Sequence, residues 1–237
     1  MSRRLIMVRH GQTTFNATRR MQGHLDTELS ELGRQQAAGA GQALADAGIS
    51  RIVASDLSRA RETAEIIAAC LGMSVETDSR LRETHLGRWQ GATGAEIDAA
   101  APGIRALWRH DAAWAPPGGE SRLDVAVRAR PVIEELMAAW PQWEDATLLI
   151  VAHGGTISAL TSSLLEFTLD QYPLLSGLGN GGWAQLTARP RFHRDRPASP
   201  PEFTPGTVAD AQWYLDGWNL GASAVGSGAD TGEESKR

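Results

Sequence analysis

The sequence has little cysteine, no excess of positive charge and no long apolar run. Cys70 is the single cysteine among 237 residues, so no disulfide can form within the chain, and a reducing cytoplasm is the expected location. The formal net charge of −5 argues against non-specific nucleic-acid binding, which requires a basic surface. No apolar run approaches the roughly 18 residues of a spanning helix, and no secretory leader pattern opens the chain, so we expect no membrane partner.

The length and composition indicate a soluble globular protein. Hydrophobic residues make up 42% of the chain and charged residues 22%, which is ordinary for a globular fold. We find no internal repeat and no linker, so a single domain is predicted over residues 1–220. The segment 221–237 is rich in Gly, Ser and Glu and has no core-forming residue after Val225, which predicts a disordered tail.

The segment that opens the chain carries the first sign of a reactive site. Leu5 to Val8 is a short apolar run without alternation, the pattern of a strand buried on both faces of a parallel sheet. Arg9, His10 and Gly11 follow directly, and reactive residues of open α/β sheets lie just beyond the carboxyl ends of such strands. A fixed cation beside an imidazole suits a site that holds and attacks an anion, although a strand-end polar pair is the simpler alternative.

A second apolar strand, predicted over 147–152, also ends in a His-Gly pair, at His153. If both strands are central in one parallel sheet, His10 and His153 face the same crevice. Arg59 lies in the first turn of a predicted helix, where free N–H groups already favour an anion, and Glu83 lies on a polar loop. Two histidines and several cations around one point would repel one another unless a dianion lies among them, and phosphate is the ligand that fits.

The remaining pattern predicts helices that alternate with strands, as in an α/β fold. Ser30 is a predicted N-cap, as is the pair Ser55-Asp56. Residues 188–209 hold five prolines and six charged residues, which predicts a surface loop. The predicted helices cover residues 31–47, 57–71, 94–110 (interrupted near 102–103), 121–140 and 156–165, and the predicted strands cover 51–54, 74–77, 183–187 and 212–218.

Four motifs occur in the order and spacing of one protein family. They are Arg9-His10-Gly11 with Asn16, a helix start with Ser55, Arg59-Ala60 and Thr63-Ala64, Glu83 before Gly87-x-Trp89-x-Gly91, and Val151-x-His153-Gly154-Gly155. Together they resemble the histidine phosphatase superfamily, the phosphoglycerate-mutase-like proteins, over residues 5–160. The resemblance implies a three-layer α/β/α sandwich with a mostly parallel central sheet and a small cap insertion at about residues 88–122.

The resemblance also implies a reaction. His10 would attack phosphorus in line and form a phosphohistidine. Arg9, Arg59 and His153 would bind the phosphoryl oxygens as charge develops, and Asn16 would add a further donor. No metal and no cofactor are needed for this chemistry, and the other histidines show no metal-ligand spacing.

An acid is needed for the leaving group. Glu83 would protonate the departing oxygen and then deprotonate the water that cleaves the phosphohistidine. Glu96 and Glu120 are alternatives, because either would also reach a crevice.

Further substrate contacts are expected from the loops around the crevice. Trp114 precedes a rigid Pro-Pro-Gly-Gly turn and offers an aromatic surface for a sugar, although a tryptophan is more often part of a core. Arg122 or His24 would supply a cation for a carboxylate. The complete set of expected contacts is Asn16, Gln22, Gly23, His24, Trp114, Arg122 and Gly154.

Three functions compete: a phosphatase acting on a small phosphorylated metabolite, a mutase, and a catalytically inactive module that binds a phosphorylated partner. Mutases of this family carry an extra basic cluster in the cap, whereas residues 92–117 offer only Arg105, Arg109 and His110. That difference favours hydrolysis, and the intact catalytic positions argue against an inactive module.

A narrower resemblance concerns the substrate. Segments that begin at Arg20, Leu25, Arg82 and Trp114 resemble an actinobacterial subgroup of the family that hydrolyses glucosyl-3-phosphoglycerate to glucosylglycerate, a precursor of methylglucose lipopolysaccharide. The subgroup implies a metal-independent homodimer. A broad-specificity phosphomonoesterase is the alternative.

Overall fold

The computed structural model describes residues 2–194, 203–204 and 208–221, and its framework is one mixed six-stranded sheet. The sheet order is β3-β2-β4-β1-β5-β6. Strands β1 to β4 are parallel, and β5 runs antiparallel to both β1 and β6, so the predicted mostly parallel sheet is confirmed. The strands are β1 (Arg3–Arg9), β2 (Ile49–Ala54), β3 (Glu76–Thr77), β4 (Thr147–Ala152), β5 (Trp183–Pro190) and β6 (Ala211–Leu220).

Helices cover both faces of the sheet. In the described part of the chain they are α1 (Thr14–Ala17), α2 (Glu31–Ala43), α3 (Ser58–Leu71), α4 (Gly94–Ala100), α5 (Ile104–His110), α6 (Arg122–Ala139) and α7 (Gly154–Leu164). Helices α2 and α3 share one core cluster with the sheet, and α6 and α7 share the other. The predicted α/β/α sandwich is therefore confirmed.

The central strand shows why its sequence does not alternate. Ile6 and Val8 face α2 and α3, whereas Leu5 and Met7 face α6 and α7. All four side chains are buried, because successive residues of a strand point to opposite faces and both faces are covered.

Several predicted boundaries were wrong. Helix α2 ends at Ala43 rather than at residue 47, because the chain must turn through Gly48, at a φ of 67°, to enter β2. Ser55 and Asp56 do not cap α3, whose N-cap is Leu57. The loop predicted over 188–209 is in part strand, since β5 continues to Pro190 and pairs there with Ala211.

Two predictions concern residues that are only partly described. Of the tail predicted over 221–237, the described residues include Gly221 alone, so its disorder stays a prediction. The single domain over 1–220 and the cap limits at about 88–122 also stay predictions. Helices α4 and α5 fall within those cap limits and are separated where the pattern placed the interruption.

Candidate active site

The two predicted histidines follow adjacent parallel strands. Arg9 at the end of β1 lies in register with Ala152 at the end of β4, so both chains leave the sheet at the same edge. The His10 and His153 rings are 5.2 Å apart between centroids, at 60° to each other. The strand order thus brings together two side chains that are far apart in sequence.

His10 is held as a neutral imidazole. Its Nδ1 lies 2.7 Å from the carbonyl oxygen of Gly11, which can only accept, so Nδ1 carries the proton and Nε2 keeps its lone pair. Burial lowers the pKa of His10 well below its usual value, and the charges of Arg59 and Arg9 lower it further. An unprotonated Nε2 is the form that a nucleophile needs.

The backbone that holds His10 is closely packed. A Cβ at Gly11 would lie 2.2 Å from the carbonyl oxygen of Gly33 in α2, so only glycine fits there. The Gly11 N–H donates to Thr63 Oγ1 at 3.1 Å, and this hydroxyl donates in turn to the Arg59 carbonyl oxygen at 2.7 Å. The His10 loop is therefore tied to the start of α3, which carries Arg59.

Arg9 and Arg59 are cations without a complete set of partners. Arg59 donates to the carbonyl oxygens of Leu25 and Gly23, both at 2.8 Å, and Arg9 donates to that of Leu178. Within the described residues, the Nε atom of each arginine is buried and has no hydrogen-bond partner. Burial lowers the pKa of both, that of Arg59 to about 10, so both remain charged at neutral pH. Buried donors on charged groups that lack acceptors favour an anionic ligand.

His153 adds a further unsatisfied donor or acceptor. Its Nε2 lies 2.9 Å from Ser55 Oγ, while its Nδ1 is buried without a partner. Burial, followed by the charge of Arg59, lowers its pKa well below the usual value.

The structure places the Glu83 carboxylate between its own loop and the start of α7. Oε1 accepts the Thr84 N–H at 2.8 Å, and Oε2 accepts the Gly155 N–H at 3.2 Å. Its charge raises the pKa of both Arg9 and Arg59 against the effect of burial, which places it near both guanidinium groups.

The two alternative acids have other partners. Glu96 is exposed and accepts the Thr93 N–H at 2.7 Å as part of the capping box of α4. Glu120 forms an ion pair with Arg128 at 2.9 Å. Both carboxylates are thus engaged in structure, which favours Glu83 as the acid.

Asn16 and Gln22 belong to one hydrogen-bond network beside His10. Asn16 Oδ1 accepts from the Thr13 N–H at 3.0 Å and from Asn180 Nδ2 at 3.3 Å, which leaves its amide nitrogen to donate elsewhere. Gln22 Oε1 accepts from the Thr13 hydroxyl at 3.0 Å. Asn180 also donates to the His10 carbonyl oxygen at 3.0 Å.

Gly23, His24 and Gly154 lie around the same crevice. Gly23 has a φ of 55° and accepts from Arg59, and a Cβ added at Gly154 would lie 3.5 Å from Arg9 Nε. His24 Nε2 lies 2.7 Å from the Glu83 carbonyl oxygen, so Nε2 carries the proton and Nδ1 is an acceptor. Burial lowers the pKa of His24, which favours its neutral form.

Trp114 and Arg122 have their contacts within the cap. The Trp114 ring lies 5.4 Å from that of Trp89 and belongs to the cluster around it. Arg122 lies 5.9 Å from the Trp108 ring centroid and donates to the Arg109 carbonyl oxygen at 3.1 Å. The structure thus places these two residues in one aromatic surface and not against the two histidines.

Three residues that support the site were not predicted from the sequence: Ser55 as partner of His153, Asn180, and Arg128. The signal for Arg128 was present, since it interrupts an apolar stripe of α6 formed by Val125, Ala129 and Val132. Asn180 lies in a Gly-rich connection that shows no pattern.

In residues 2–194, 203–204 and 208–221, no three His, Cys, Asp or Glu side chains are grouped so as to hold a metal ion. Nor does any helix in these ranges have the length and apolarity needed to cross a bilayer.

The sequence model of the histidine phosphatase superfamily (branch 1) matches residues 5–194. The chain belongs to the histidine phosphatase superfamily. It is 50% identical to the glucosyl-3-phosphoglycerate phosphatase of Mycolicibacterium vanbaalenii over 227 aligned residues. The alignment covers 94% of this chain and 97% of the relative.

Solved structures agree with this family membership. A mycobacterial glucosyl-3-phosphoglycerate phosphatase in complex with VO3 superposes with a TM-score of 0.82 at 50% identity, over 92% of this chain and 98% of that one. A complex of a mycobacterial glucosyl-3-phosphoglycerate phosphatase with inorganic phosphate gives a TM-score of 0.80 at 47% identity, over 94% and 100% of the two chains.

Proposed function

We propose that this chain hydrolyses a phosphate monoester through a phosphohistidine on His10, without a metal. The arrangement around His10 Nε2 carries the proposal. This neutral nitrogen lies in a site whose buried Arg9 Nε, Arg59 Nε and His153 Nδ1 have no partner in the described protein. A dianionic phosphoryl group would supply acceptors to all three.

The residues perform the reaction in two steps. His10 Nε2 attacks phosphorus and the P–O bond to the leaving group breaks, while Glu83 gives its proton to the departing alkoxide. Glu83 then takes a proton from water, the resulting hydroxide attacks phosphorus, and the P–N bond breaks to restore neutral His10. Arg9, Arg59 and His153 stabilise the equatorial oxygens throughout.

The proposed substrate is glucosyl-3-phosphoglycerate, which carries a phosphate, a carboxylate and a sugar. The relatives that match nearly the whole chain are named for this compound. Arg122 is the proposed partner of the carboxylate, because burial lowers its pKa and none of the described acidic side chains forms an ion pair with it. His24 is less suited to that role as a neutral imidazole.

Arg122 lies on the same helix as Arg128. It precedes Arg128 by six residues, roughly 9 Å along the helix axis, and Arg128 contacts the backbone of Glu83. The proposed carboxylate partner therefore lies on the helix that also contacts the segment of the proposed acid. Trp114 lies in the same cap and is proposed to contact the sugar.

A mutase is the weaker candidate. Of the cap cations available for a second phosphate, Arg105 is paired with Asp98 at 2.7 Å. Arg109 and His110 are exposed in the last turn of α5.

The substrate proposal is tested by a panel of phosphate esters. The expected order of kcat/KM is glucosyl-3-phosphoglycerate, then 3-phosphoglycerate, then glucose phosphates, because a cation left without its carboxylate costs several kcal/mol. Arg122→Ala should narrow the differences in kcat/KM among these compounds, mainly by lowering the value for glucosyl-3-phosphoglycerate. Equal kcat/KM for all three would indicate a broad-specificity phosphatase, and efficient conversion of 3- to 2-phosphoglycerate would indicate a mutase.

We also propose a cytoplasmic homodimer. The single cysteine is consistent with a reducing compartment. An open groove on the outer side of α6 is lined by Leu123, Val127, Pro131 and Tyr172, and Val127 is 75% exposed, which supports contact with a second copy. Light scattering of the purified chain would test the dimer, and Val127→Glu should shift it toward the monomer.

A further inference from the structure

Arg128, in the middle of α6, uses all five of its N–H groups on one short segment and one carboxylate. Nη1 donates to the carbonyl oxygens of Arg80 and Arg82 at 2.7 and 2.8 Å. Nη2 donates to the carbonyl oxygen of Glu83 at 2.9 Å and to Glu120 Oε2 at 2.9 Å, and Nε donates to Glu120 Oε1 at 2.9 Å. A planar guanidinium is the side chain that can make this set.

Glu120 completes the contact from the other side. Its Oε2 also accepts the His85 N–H at 2.8 Å, so the Arg128–Glu120 pair forms hydrogen bonds with both ends of the segment 80–85. Burial would raise the pKa of Glu120, but the hydrogen bonds from Arg128 and from the His85 N–H lower it overall, so the pair is charged.

The residue at the centre of this segment is Glu83. Its carboxylate accepts from the Thr84 N–H, the Thr84 hydroxyl and the Gly155 N–H, and two of these donors belong to its own loop, so its direction depends on where that loop is held. That backbone carbonyl accepts from both Arg128 and His24, at 2.9 and 2.7 Å. Two donors on one carbonyl fix the peptide plane from which the carboxylate projects.

We propose that the Arg128–Glu120 pair positions Glu83 for proton transfer to the leaving group. Neither residue contacts the reacting atoms, and both act through the backbone of the segment 80–85. The inference rests on the acid role proposed for Glu83. A carboxylate displaced by about 1 Å can lose a hundredfold in rate, because proton transfer requires hydrogen-bond distance.

The experiment compares two leaving groups. An alkyl phosphate such as glycerol 3-phosphate needs a proton on its departing oxygen, whereas p-nitrophenyl phosphate does not. The measured quantity is the ratio of kcat/KM for the aryl ester to that for the alkyl ester. The variants are Arg128→Met, Arg128→Lys and Glu120→Gln, with Glu83→Gln as the reference.

Arg130 provides a matched control. It lies on the same helix, donates to the Ser163 carbonyl oxygen at 2.7 Å and pairs with Glu134 at 2.7 Å, away from the segment 80–85. Arg130→Met should leave the ratio unchanged. Inhibition by inorganic phosphate reports on the phosphate pocket and should stay within about twofold of wild type in all Arg128 and Glu120 variants.

We expect Arg128→Met to raise the aryl-to-alkyl ratio about tenfold or more, in the same direction as Glu83→Gln, with Arg128→Lys and Glu120→Gln between it and wild type. If Arg128→Met does not fold, the Lys and Gln variants carry the same comparison. An unchanged ratio in these variants, with a raised ratio in Glu83→Gln, overturns the positioning role alone. An unchanged ratio in Glu83→Gln overturns the acid role and with it this inference.

Discussion

The Ser55 hydroxyl lies 2.9 Å from Nε2 of His153, so the direction of this hydrogen bond determines the tautomer of that ring. Ser55 Oγ already accepts the Leu57 N–H at 3.3 Å, so its own proton is available for His153 Nε2. Neutral His153 then carries its proton on Nδ1, the buried atom without a partner. The serine thereby converts an imidazole into a donor for a phosphoryl oxygen.

Ser55→Ala should lower kcat/KM about tenfold to a hundredfold, since a single donor to a developing oxyanion is worth 10²–10³ and the variant weakens this donor without removing it. Ring-nitrogen NMR should show a shift of His153 toward the Nε2–H tautomer. Ser162→Ala, at a buried serine of α7 without a partner, is the control. Wild-type kinetics in Ser55→Ala would show that the serine does not control the function of His153.

His10→Ala should abolish turnover if His10 is the nucleophile as proposed, and it should leave the fold intact, because His10 contributes no side chain to the main core clusters. Rapid quench of wild type with a labelled substrate should give a phosphoprotein that is labile in acid and stable in base. The variant should give none. A labelled His10→Ala protein would place the nucleophile elsewhere.

The buried histidines predict a pH dependence of stability. The pKa values of His10 and His153 are below the value of about 6.5 expected in the unfolded chain, so on acidification the unfolded state binds protons first. Stability is therefore full above pH 6.5 and falls as the pH drops below it, by at most about 1.4 kcal/mol per pH unit for each histidine.

Urea unfolding between pH 6.5 and 5 measures this slope. The His10→Gln variant, which lacks one titrating group, should show a shallower slope by up to about 1.4 kcal/mol per pH unit. Identical slopes in the two proteins would mean that His10 is protonated equally in the folded and unfolded states.

Two glycines of α2 should respond in opposite ways to alanine. A Cβ at Gly33 would lie 2.1 Å from the Gln12 carbonyl oxygen, so Gly33→Ala should cost about 1–3 kcal/mol of unfolding free energy and displace the loop that holds His10. Outside its own helix backbone, a Cβ at Gly39 would meet no described atom within 4 Å, and Gly39→Ala should raise stability by about 0.5–1 kcal/mol. Chemical denaturation and kcat would be measured on both. Equal effects would show that the α2 backbone shifts freely.

The central strands could be predicted from the sequence because their local apolar pattern agrees with their position in the middle of the sheet. Strand β1 is apolar at every residue from 5 to 8 and strand β4 at every residue from 148 to 151, which is the pattern of strands in a sheet covered on both faces. The two His-Gly pairs follow these strands directly, so the approach of His10 to His153 was predictable.

Other features depend on tertiary context. The residues after Ala43 favour helix by propensity, yet the chain turns there to reach β2. Pro190 and its charged neighbours look like a loop, but β6 pairs with them. The apolar stripe of α6 marks Arg128 as unusual, but its partners are three carbonyl groups of a distant loop, and no one-dimensional pattern identifies those.

The pairing of β1 also governs when the site can form during synthesis. Leu5 pairs with Leu148 of β4 on one side and with Leu186 of β5 on the other. Strand β1 is made first, but it can take its place in the sheet only after β4 and β5 have been made. A nascent chain that stops before β4 leaves both edges of an apolar strand open to other chains. Truncated products are therefore expected to aggregate rather than to show partial activity, and phosphate binding should appear only once β5 has been made.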